Sequence, residues 1–116
     1  MSYVKYNGKD KYHFRWYRKS LNHPFLVTLV VQEKDESGKY LITGFNITSS
    51  LLKVLERPNR YIKLDNNPNP ENDSDAYVNI TLVKNQPAKF FSRPLRKWKL
   101  TKEDEKKIDD LLNKAK

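Results

Sequence analysis

The sequence predicts a mainly β domain with minor α content: a small curled antiparallel sheet or barrel of five to six strands, one short internal helix and a carboxyl-terminal amphipathic helix. Two observations predict this class. Short segments that alternate apolar and polar residues recur along the chain, joined by short turn-forming links, and two other segments have helical spacing. With 116 residues, the chain has the length of a single domain, residues 1–116, with one modest core.

Two segments near the amino terminus, Ser2–Tyr6 and Tyr12–Tyr17, alternate as half-buried strands do. The second divides its residues between two faces, with Tyr12, Phe14 and Trp16 on one and His13, Arg15 and Tyr17 on the other. An aromatic face of this kind either fills the interior of a small barrel or stacks on nucleic-acid bases. For Phe14 and Trp16 we favour the core.

The middle of the chain predicts a β-hairpin. Arg18–Pro24 is expected to be a loop, and the continuous apolar run Phe25–Val31 is expected to form a central strand that is buried on both faces. A hairpin loop over Lys34–Lys39 then leads to a partner strand over Tyr40–Thr48. Gly44 inside that strand indicates a bulge or a close backbone approach.

The remaining elements are shorter, except the last. Ser49–Glu56 has leucines at helical spacing, and Arg60–Leu64 and Tyr77–Val83 alternate as strands. Asp65–Asp75 is a polar loop, expected to be a mobile, solvated linker, with gating of a basic groove as the alternative. Thr101–Ala115 is the best-specified helix because it has a capping threonine, acidic residues in its first turn and one apolar face.

The formal net charge of +9 favours an anionic partner: nucleic acid, an anionic membrane surface or an acidic protein. Nucleic acid is the first choice, and we expect no membrane partner because no segment approaches a transmembrane length. The strongest signal is Lys84–Lys102, which carries seven cations, no acid and three large aromatic residues. The residues predicted to contact nucleic acid are Arg15, Lys89, Arg93, Arg96, Lys97, Trp98 and Lys99.

A solvated basic strand with its aromatic side chains turned toward the core would have the same composition as Lys84–Lys102. We assign Phe90 and Phe91 mainly to the core and leave Trp98 open between the core and the nucleic acid.

The sequence contains no cysteine and only two histidines, His13 and His23. Disulfides, thiolate nucleophiles and cysteine-based metal sites are therefore excluded, and we expect neither a metal nor a cofactor. The amino terminus lacks the apolar run of a secretory signal, so we expect a cytoplasmic protein.

Three patches resemble the MazF, PemK and Kid family of toxin endoribonucleases: Asn22–Gln32, Tyr40–Ser50 and Tyr77–Leu112. They match the family's loop ending in proline before an apolar strand, its strand ending in a catalytic Thr or Ser, and its closing strand, basic segment and helix. The resemblance implies an SH3-like barrel, commonly a homodimer, that cuts single-stranded RNA without metal. It also implies an acidic antitoxin protein that covers the RNA site.

The same resemblance implies two catalytic residues, His23 and Thr48, and the chemistry of its guanidinium adds Arg18, in the same loop as His23, as a third candidate. His23 stands where the family has an arginine before proline, and an imidazole there would act as general acid or base, unless the exchange has inactivated the enzyme. Thr48 matches the family's hydroxyl and would hydrogen-bond the phosphate; the alternative is an ordinary strand threonine. Arg18 is expected to clamp phosphate through its guanidinium.

Three further interpretations remain open. His13 and His23 could form an acid and base pair, although nothing in the sequence fixes their separation. The chain could instead be a non-catalytic nucleic-acid-binding barrel protein of phage or mobile-element origin, or a basic module that binds an acidic peptide.

Overall fold

The computed structural model describes residues 3–20, 22–32 and 39–115, which form six strands and two α-helices. The strands are β1 (His13–Tyr17), β2 (His23–Gln32), β3 (Tyr40–Thr48), β4 (Tyr61–Lys63), β5 (Tyr77–Asn79) and β6 (Val83–Pro87). The helices are α1 (Leu51–Glu56) and α2 (Lys102–Ala115). The prediction of a mainly β chain with one short internal helix and one carboxyl-terminal helix is confirmed.

All strand pairs are antiparallel, as the short connections predicted. The order is β1-β2-β3-β5-β4, and β6 pairs with the first half of β3. Over the residues that the structure describes, the sheet is open and does not close into a barrel. Of the two predicted alternatives, a sheet or a barrel, the structure has an open sheet.

The basic segment that follows β6 runs along the outer edge of β1. Phe91 forms an isolated antiparallel bridge with Tyr17, and Leu95 N donates a hydrogen bond to Phe14 O at 2.7 Å. These bonds satisfy backbone groups that the edge strand would otherwise leave to solvent. They also fix the segment beside the strand that carries Trp16.

Side chains of β1 enter two separate hydrophobic clusters, one on each face of the sheet. The first cluster packs beneath α2, and its buried members include Phe14, Leu26, Phe45, Val78 and Ile108. The second packs between the β2–β3 hairpin and the segment after β6, and its buried members are Tyr17, Phe25, Val27, Ile42 and Phe91. The core assignments of Phe14 and Phe91 are confirmed, because each is at most 2% exposed.

Burial on both faces of β2 holds only for its first half. Phe25, Leu26 and Val27 are buried, but Leu29 is 53% exposed and Val31 is 36% exposed. The register with β3 shifts between Val27 and Leu29, and beyond that bulge β2 alternates like a half-buried strand. The prediction of two buried faces is therefore wrong for this outer half.

Gly44 lies where β3 approaches β2 closely and where its pairing with β6 shifts register. A Cβ atom built on Gly44 would overlap the carbonyl oxygen of Leu26. Both features predicted from a glycine inside a strand are confirmed, since only a residue without a side chain fits this contact.

Near the amino terminus the predicted strand Ser2–Tyr6 is wrong for its described residues, because residues 3–6 have no strand structure. Side chains hold them instead: Tyr3 stacks on Tyr40 with ring centroids 4.2 Å apart, and Val4 O accepts a hydrogen bond from Arg15 at 2.8 Å.

The boundaries of two predicted loops differ from the structure or lie beyond it. The loop predicted over Arg18–Pro24 ends earlier, because β2 already begins at His23. The predicted loop Lys34–Lys39 lies, apart from Lys39, outside the described residues.

The predicted strand Tyr77–Val83 is interrupted: its first three residues form β5, and its last residue, Val83, begins β6. β5 ends at Asn79, whose Oδ1 accepts a hydrogen bond from Thr81 N at 3.0 Å and closes a turn before β6. The sequence signal for this break was the asparagine within the alternating run.

Helix α2 is capped as predicted: Thr101 Oγ1 accepts a hydrogen bond from Asp104 N at 3.1 Å. Asp104 is fully buried, and its carboxylate accepts hydrogen bonds from the backbone N–H groups of Asp65 and Asn66 at 2.8 and 3.1 Å. The helix start therefore fastens the loop that begins at Asp65. Within the described ranges, no helix is long and apolar enough to cross a membrane.

Candidate functional site

The antiparallel pairing of β2 and β3 brings His23 and Thr48 together. Phe25 pairs with Asn46, and the same register continued by two residues places His23 opposite Thr48. Both residues are half-buried, and both line the same two cavities. Two of the three predicted catalytic residues thus share one site.

The two cavities adjoin at His23 and Thr48. The large cavity, of about 370 Å³, lies between the start of β2, the end of β3, the loop of residues 65–75 and Trp98. The small cavity, of about 160 Å³, lies on the β4–β5 side. The residues that line both are His23, Ile47, Thr48 and Lys53. This shared set contains an imidazole, a hydroxyl and an ammonium group.

Local hydrogen bonds at the start of α1 position Lys53. Thr48 Oγ1 accepts a hydrogen bond from Ser50 N at 3.0 Å, and Ser50 Oγ in turn accepts one from Lys53 N at 3.4 Å. Ser50 is the N-cap of the helix, so the first turn of α1 folds back toward Thr48. The hydroxyl proton of Thr48 remains available to a ligand, because Thr48 Oγ1 acts as an acceptor in this bond.

Burial lowers the pKa of His23 below its ordinary value of 6.5, and the positive charge of Lys53 lowers it further. Both causes disfavour the imidazolium form. His23 is therefore neutral near pH 7 and can accept a proton, as a general base must.

Two indole rings form the aromatic side of the large cavity. Trp98 meets Trp16 edge to face with ring centroids 5.5 Å apart, and its other contact is with Phe14 at 5.7 Å. Both tryptophans are half-buried. Trp98, which the sequence left open, thus packs on the core and also lines the cavity.

The opposite wall of the large cavity carries three asparagines from the loop of residues 65–75: Asn67, Asn69 and Asn72. Their side chains cap backbone N–H groups of the loop, for example Asn67 Oδ1 with Asn69 N at 2.9 Å. Asp104 ties down the start of the same loop. Most residues of the loop are exposed, as its composition predicted, and side-chain hydrogen bonds hold the asparagines that line the cavity.

Arg18, the third predicted catalytic residue, lies on a 3-10 turn after β1 and lines neither cavity. Arg18 directly follows Tyr17, which pairs with His23, and its predicted role as a phosphate clamp stays a prediction. Lys53 occupies the place of the cation in the site. The sequence contained a signal for Lys53. A serine two residues after Thr48 can cap a helix, and Lys53 is then the third residue of that helix and lies in its first turn, close to Thr48.

Arg15 is 1% exposed, and its guanidinium bonds internally to His13 Nε2 at 2.9 Å and to Ser92 O at 3.0 Å. Because no phosphate can reach a group enclosed in this way, we correct the prediction that Arg15 contacts nucleic acid. His13 is 7% exposed and lies in this internal cluster, whereas His23 lines the cavities. The structure therefore does not join the two histidines as an acid and base pair.

The remaining predicted nucleic-acid contacts lie outside the two cavities and are exposed: Lys89, Arg93, Arg96, Lys97 and Lys99. Lys99 forms a salt bridge with Asp10. Of residues Lys84–Lys102, Trp98 is the one that lines either of the two adjoining cavities. The exposed cations can therefore attract a polyanion to this side of the molecule without contacting the reacting groups.

A larger groove of about 780 Å³ lies between α2 and the bulged part of the sheet. Its acid, Asp109, is bonded to Lys11 at 2.8 Å and also to Tyr12. These bonds join α2 to the start of β1, so we assign them to the fold. In the part of the chain that the structure describes, no group of three His, Asp or Glu side chains is placed to hold a metal ion.

Comparisons of the chain with protein-family models, with curated proteins and with solved structures find no match. The function is therefore inferred from the fold and from the geometry of the two adjoining cavities.

Proposed function

We propose that this protein is an endoribonuclease of the toxin-antitoxin type, which cuts single-stranded RNA without a metal ion by attack of the RNA 2′-hydroxyl. One observation carries the proposal: His23, Thr48 and Lys53 line the boundary that the two cavities share. Two neighbouring nucleosides, one in each cavity, would place their connecting phosphodiester at this boundary. A base, a hydrogen-bond donor and a cation would then surround the reacting phosphorus.

The residues have distinct roles in this reaction. The 2′-oxygen attacks phosphorus while its proton passes to neutral His23, the bond from phosphorus to the 5′-oxygen breaks, and that oxygen takes a proton from solvent. The Lys53 ammonium and the Thr48 hydroxyl stabilise the negative charge that builds up on the phosphoryl oxygens. The products are a 2′,3′-cyclic phosphate and a free 5′-hydroxyl.

Substrate binding combines stacking with charge attraction. Trp16 and Trp98 offer aromatic surface in the large cavity, where an unpaired base can stack. The exposed cations of the basic segment attract the backbone on the same side of β1, and this term weakens as salt is added. A duplex keeps its bases stacked on one another, so the substrate is single-stranded.

The proposal includes two protein partners, an antitoxin and a second copy of the chain. An acidic antitoxin would cover the cavities and neutralise the surrounding cations, and both proteins would act in the cytoplasm. A homodimer would use the leucines of α1, because Leu51, Leu52 and Leu55 are each at least 55% exposed.

The direct test is cleavage of a labelled single-stranded RNA by purified protein in EDTA. We expect products with 2′,3′-cyclic phosphate ends, and no cleavage of a DNA strand of the same sequence because it lacks the nucleophile. His23→Ala should slow cleavage at least a hundredfold, as is typical of losing a general base. Lys114→Ala, at the exposed end of α2, is the matched control and should leave the rate unchanged.

Two outcomes would contradict this function. Intact RNA after long incubation, together with salt-dependent binding, would indicate a nucleic-acid-binding protein without catalysis. Cleavage that survives His23→Ala in a preparation of verified purity would exclude the mechanism.

A further inference from the structure

Asn46 holds a buried acceptor with no partner inside the protein. Among the described residues, its Oδ1 is the buried side-chain nitrogen or oxygen atom that lacks a hydrogen bond. Asn46 lies on β3 between Phe45 and Ile47, which are both buried, so the amide is held in place by its strand. An unsatisfied buried acceptor is destabilising, so its presence in a native protein calls for an explanation, and a functional role is one.

Asn46 lines the small cavity, which also contains the site residues His23, Thr48 and Lys53. The cavity volume is about 160 Å³. An apolar cavity of roughly 150 Å³ can hold one benzene ring. The small cavity therefore matches a single six-membered ring better than a fused pair of rings.

The other two polar or aromatic residues of the small cavity complement Asn46. Asn79 Oδ1 already accepts a hydrogen bond from Thr81 N at 3.0 Å, which leaves the amino group of Asn79 as a donor. Tyr61 pairs with Asn79 across the β4–β5 register, and both line the cavity. The lining thus combines an acceptor, a donor and an aromatic ring.

We propose that the small cavity binds a pyrimidine base of the RNA, with Asn46 as the residue that recognises it. When the Asn46 amide turns toward the cavity, its Oδ1, which is buried in the free protein, would accept a hydrogen bond from the amino group of cytosine or the ring N–H of uracil, and Asn79 would donate to a carbonyl oxygen of the same ring. Tyr61 supplies the aromatic surface against which the base packs. This inference rests on the proposed function, because it states which base occupies the small cavity, next to the phosphodiester at which His23 acts as the general base.

The test is equilibrium binding of short single-stranded oligonucleotides in which 2′-fluorine replaces the 2′-hydroxyl, so that none is cut. The probes are homopolymers of cytosine, uracil and adenine with the same fluorescent label. We expect the better-bound pyrimidine to exceed adenine by about tenfold in affinity. Asn46→Leu should reduce that ratio to about twofold or less, while Asn59→Leu, an exposed asparagine, should leave it unchanged.

Two further measurements separate recognition from stability. Asn46→Leu should not lower the melting temperature, because it removes a buried group that has no partner. Asn79→Asp keeps the acceptor for Thr81 N and removes the donor to the base, so it should also reduce the pyrimidine preference.

The possible failures are distinguishable. If none of the probes bind, the proposed function fails and the pyrimidine site fails with it. If all three bind equally, or adenine binds best, the pyrimidine site is wrong while an RNA-binding function stands. If the pyrimidine preference exists but survives both Asn46→Leu and Asn79→Asp, the base is recognised elsewhere.

Discussion

The surroundings of His13 and His23, on adjacent strands, differ in whether the neighbouring polar groups already have partners. His13 accepts a hydrogen bond from Arg15 Nε at 2.9 Å, and the other guanidinium nitrogens of Arg15 bond to Ser92 O and Val4 O at 3.0 and 2.8 Å. All three guanidinium nitrogens of Arg15 thus have partners within the chain. The cluster joins β1 to the amino-terminal segment and to the segment after β6.

Around His23, by contrast, not every polar group has a hydrogen-bond partner within the chain. The imidazole is half-buried at the boundary of two cavities, burial and then the charge of Lys53 lower its pKa, and Asn46, which lines the small cavity with it, has an unpartnered acceptor. A polar cluster that is satisfied internally stabilises the fold, whereas one that is left unsatisfied beside a cavity can bind a ligand. Both regions combine a histidine with a cation, so residue type alone does not separate these roles.

The largest effect is expected when the hydrogen bonds of the buried cluster around Arg15 are removed. Arg15→Met should lower the free energy of unfolding by about 3 kcal/mol, because it leaves His13 Nε2 and two backbone carbonyls buried without a donor. Denaturant unfolding measures the change. Arg93→Met, at an exposed position, is the control and should change stability by less than about 0.5 kcal/mol. Equal effects of the two substitutions would mean that the internal cluster does not stabilise the fold.

The second largest effect is expected when the positive charge of Lys53 is removed from the boundary of the two cavities. Lys53→Gln should slow RNA cleavage about a hundredfold, since a donor to the transition-state oxygens is lost. Because Lys53 is exposed on α1, the melting temperature should stay within the error of the measurement. Lys114→Gln removes an exposed charge that lines neither of the two adjoining cavities, so a matching loss of rate there would assign the effect of Lys53 to net charge.

Local sequence signals predicted the elements that build the site. Strand β3 has the predicted bounds Tyr40–Thr48, because alternating β-branched and aromatic residues define it. Helix α1 forms where leucines at helical spacing predicted it, and helix α2 begins after Thr101, as the capping threonine predicted. Thr48 and Lys53 are close in sequence, so their proximity follows from these local elements.

Contacts between distant parts of the chain could not be predicted in the same way. Arg15 sits in an alternating strand where a basic residue usually faces water, and the carbonyls of Val4 and Ser92 that enclose it come from two other segments. Trp98 meets Trp16 only because the segment after β6 returns along β1. Neither pairing has a local pattern, so composition assigned Arg15 to nucleic acid and left Trp98 open.

The third expected effect uses the pKa of His13, which burial, followed by the charges of Arg15 and Arg96, lowers from 6.5 to about 3. The unfolded chain therefore binds this proton more readily. The stability that the neutral histidine contributes is complete above pH 6.5 and is lost as pH falls toward 3. We expect about 2 kcal/mol of that loss by about pH 5.

His13→Gln keeps an acceptor for Arg15 and removes the titration, so its unfolding free energy should depend less steeply on pH over the same window. Denaturant unfolding at a series of pH values measures both proteins. His23, whose pKa is also lowered, remains in both and adds a smaller slope of the same sign. Parallel pH profiles of the two proteins would show that His13 does not titrate differently on folding.

The smallest expected effect concerns Arg18, the cation that the sequence predicted to clamp phosphate. Arg18 is exposed on a 3-10 turn and lines neither cavity, so Arg18→Ala should change the cleavage rate by at most about threefold through weaker attraction of RNA. The change should disappear as salt is raised, because a long-range attraction is screened while a contact with the reacting phosphate is not. Rates measured for Arg18→Ala and Lys53→Gln at low and high salt make the comparison. A salt-independent loss for Arg18→Ala as large as that for Lys53→Gln would return Arg18 to the active site and require this turn to move onto the boundary of the two cavities when RNA binds.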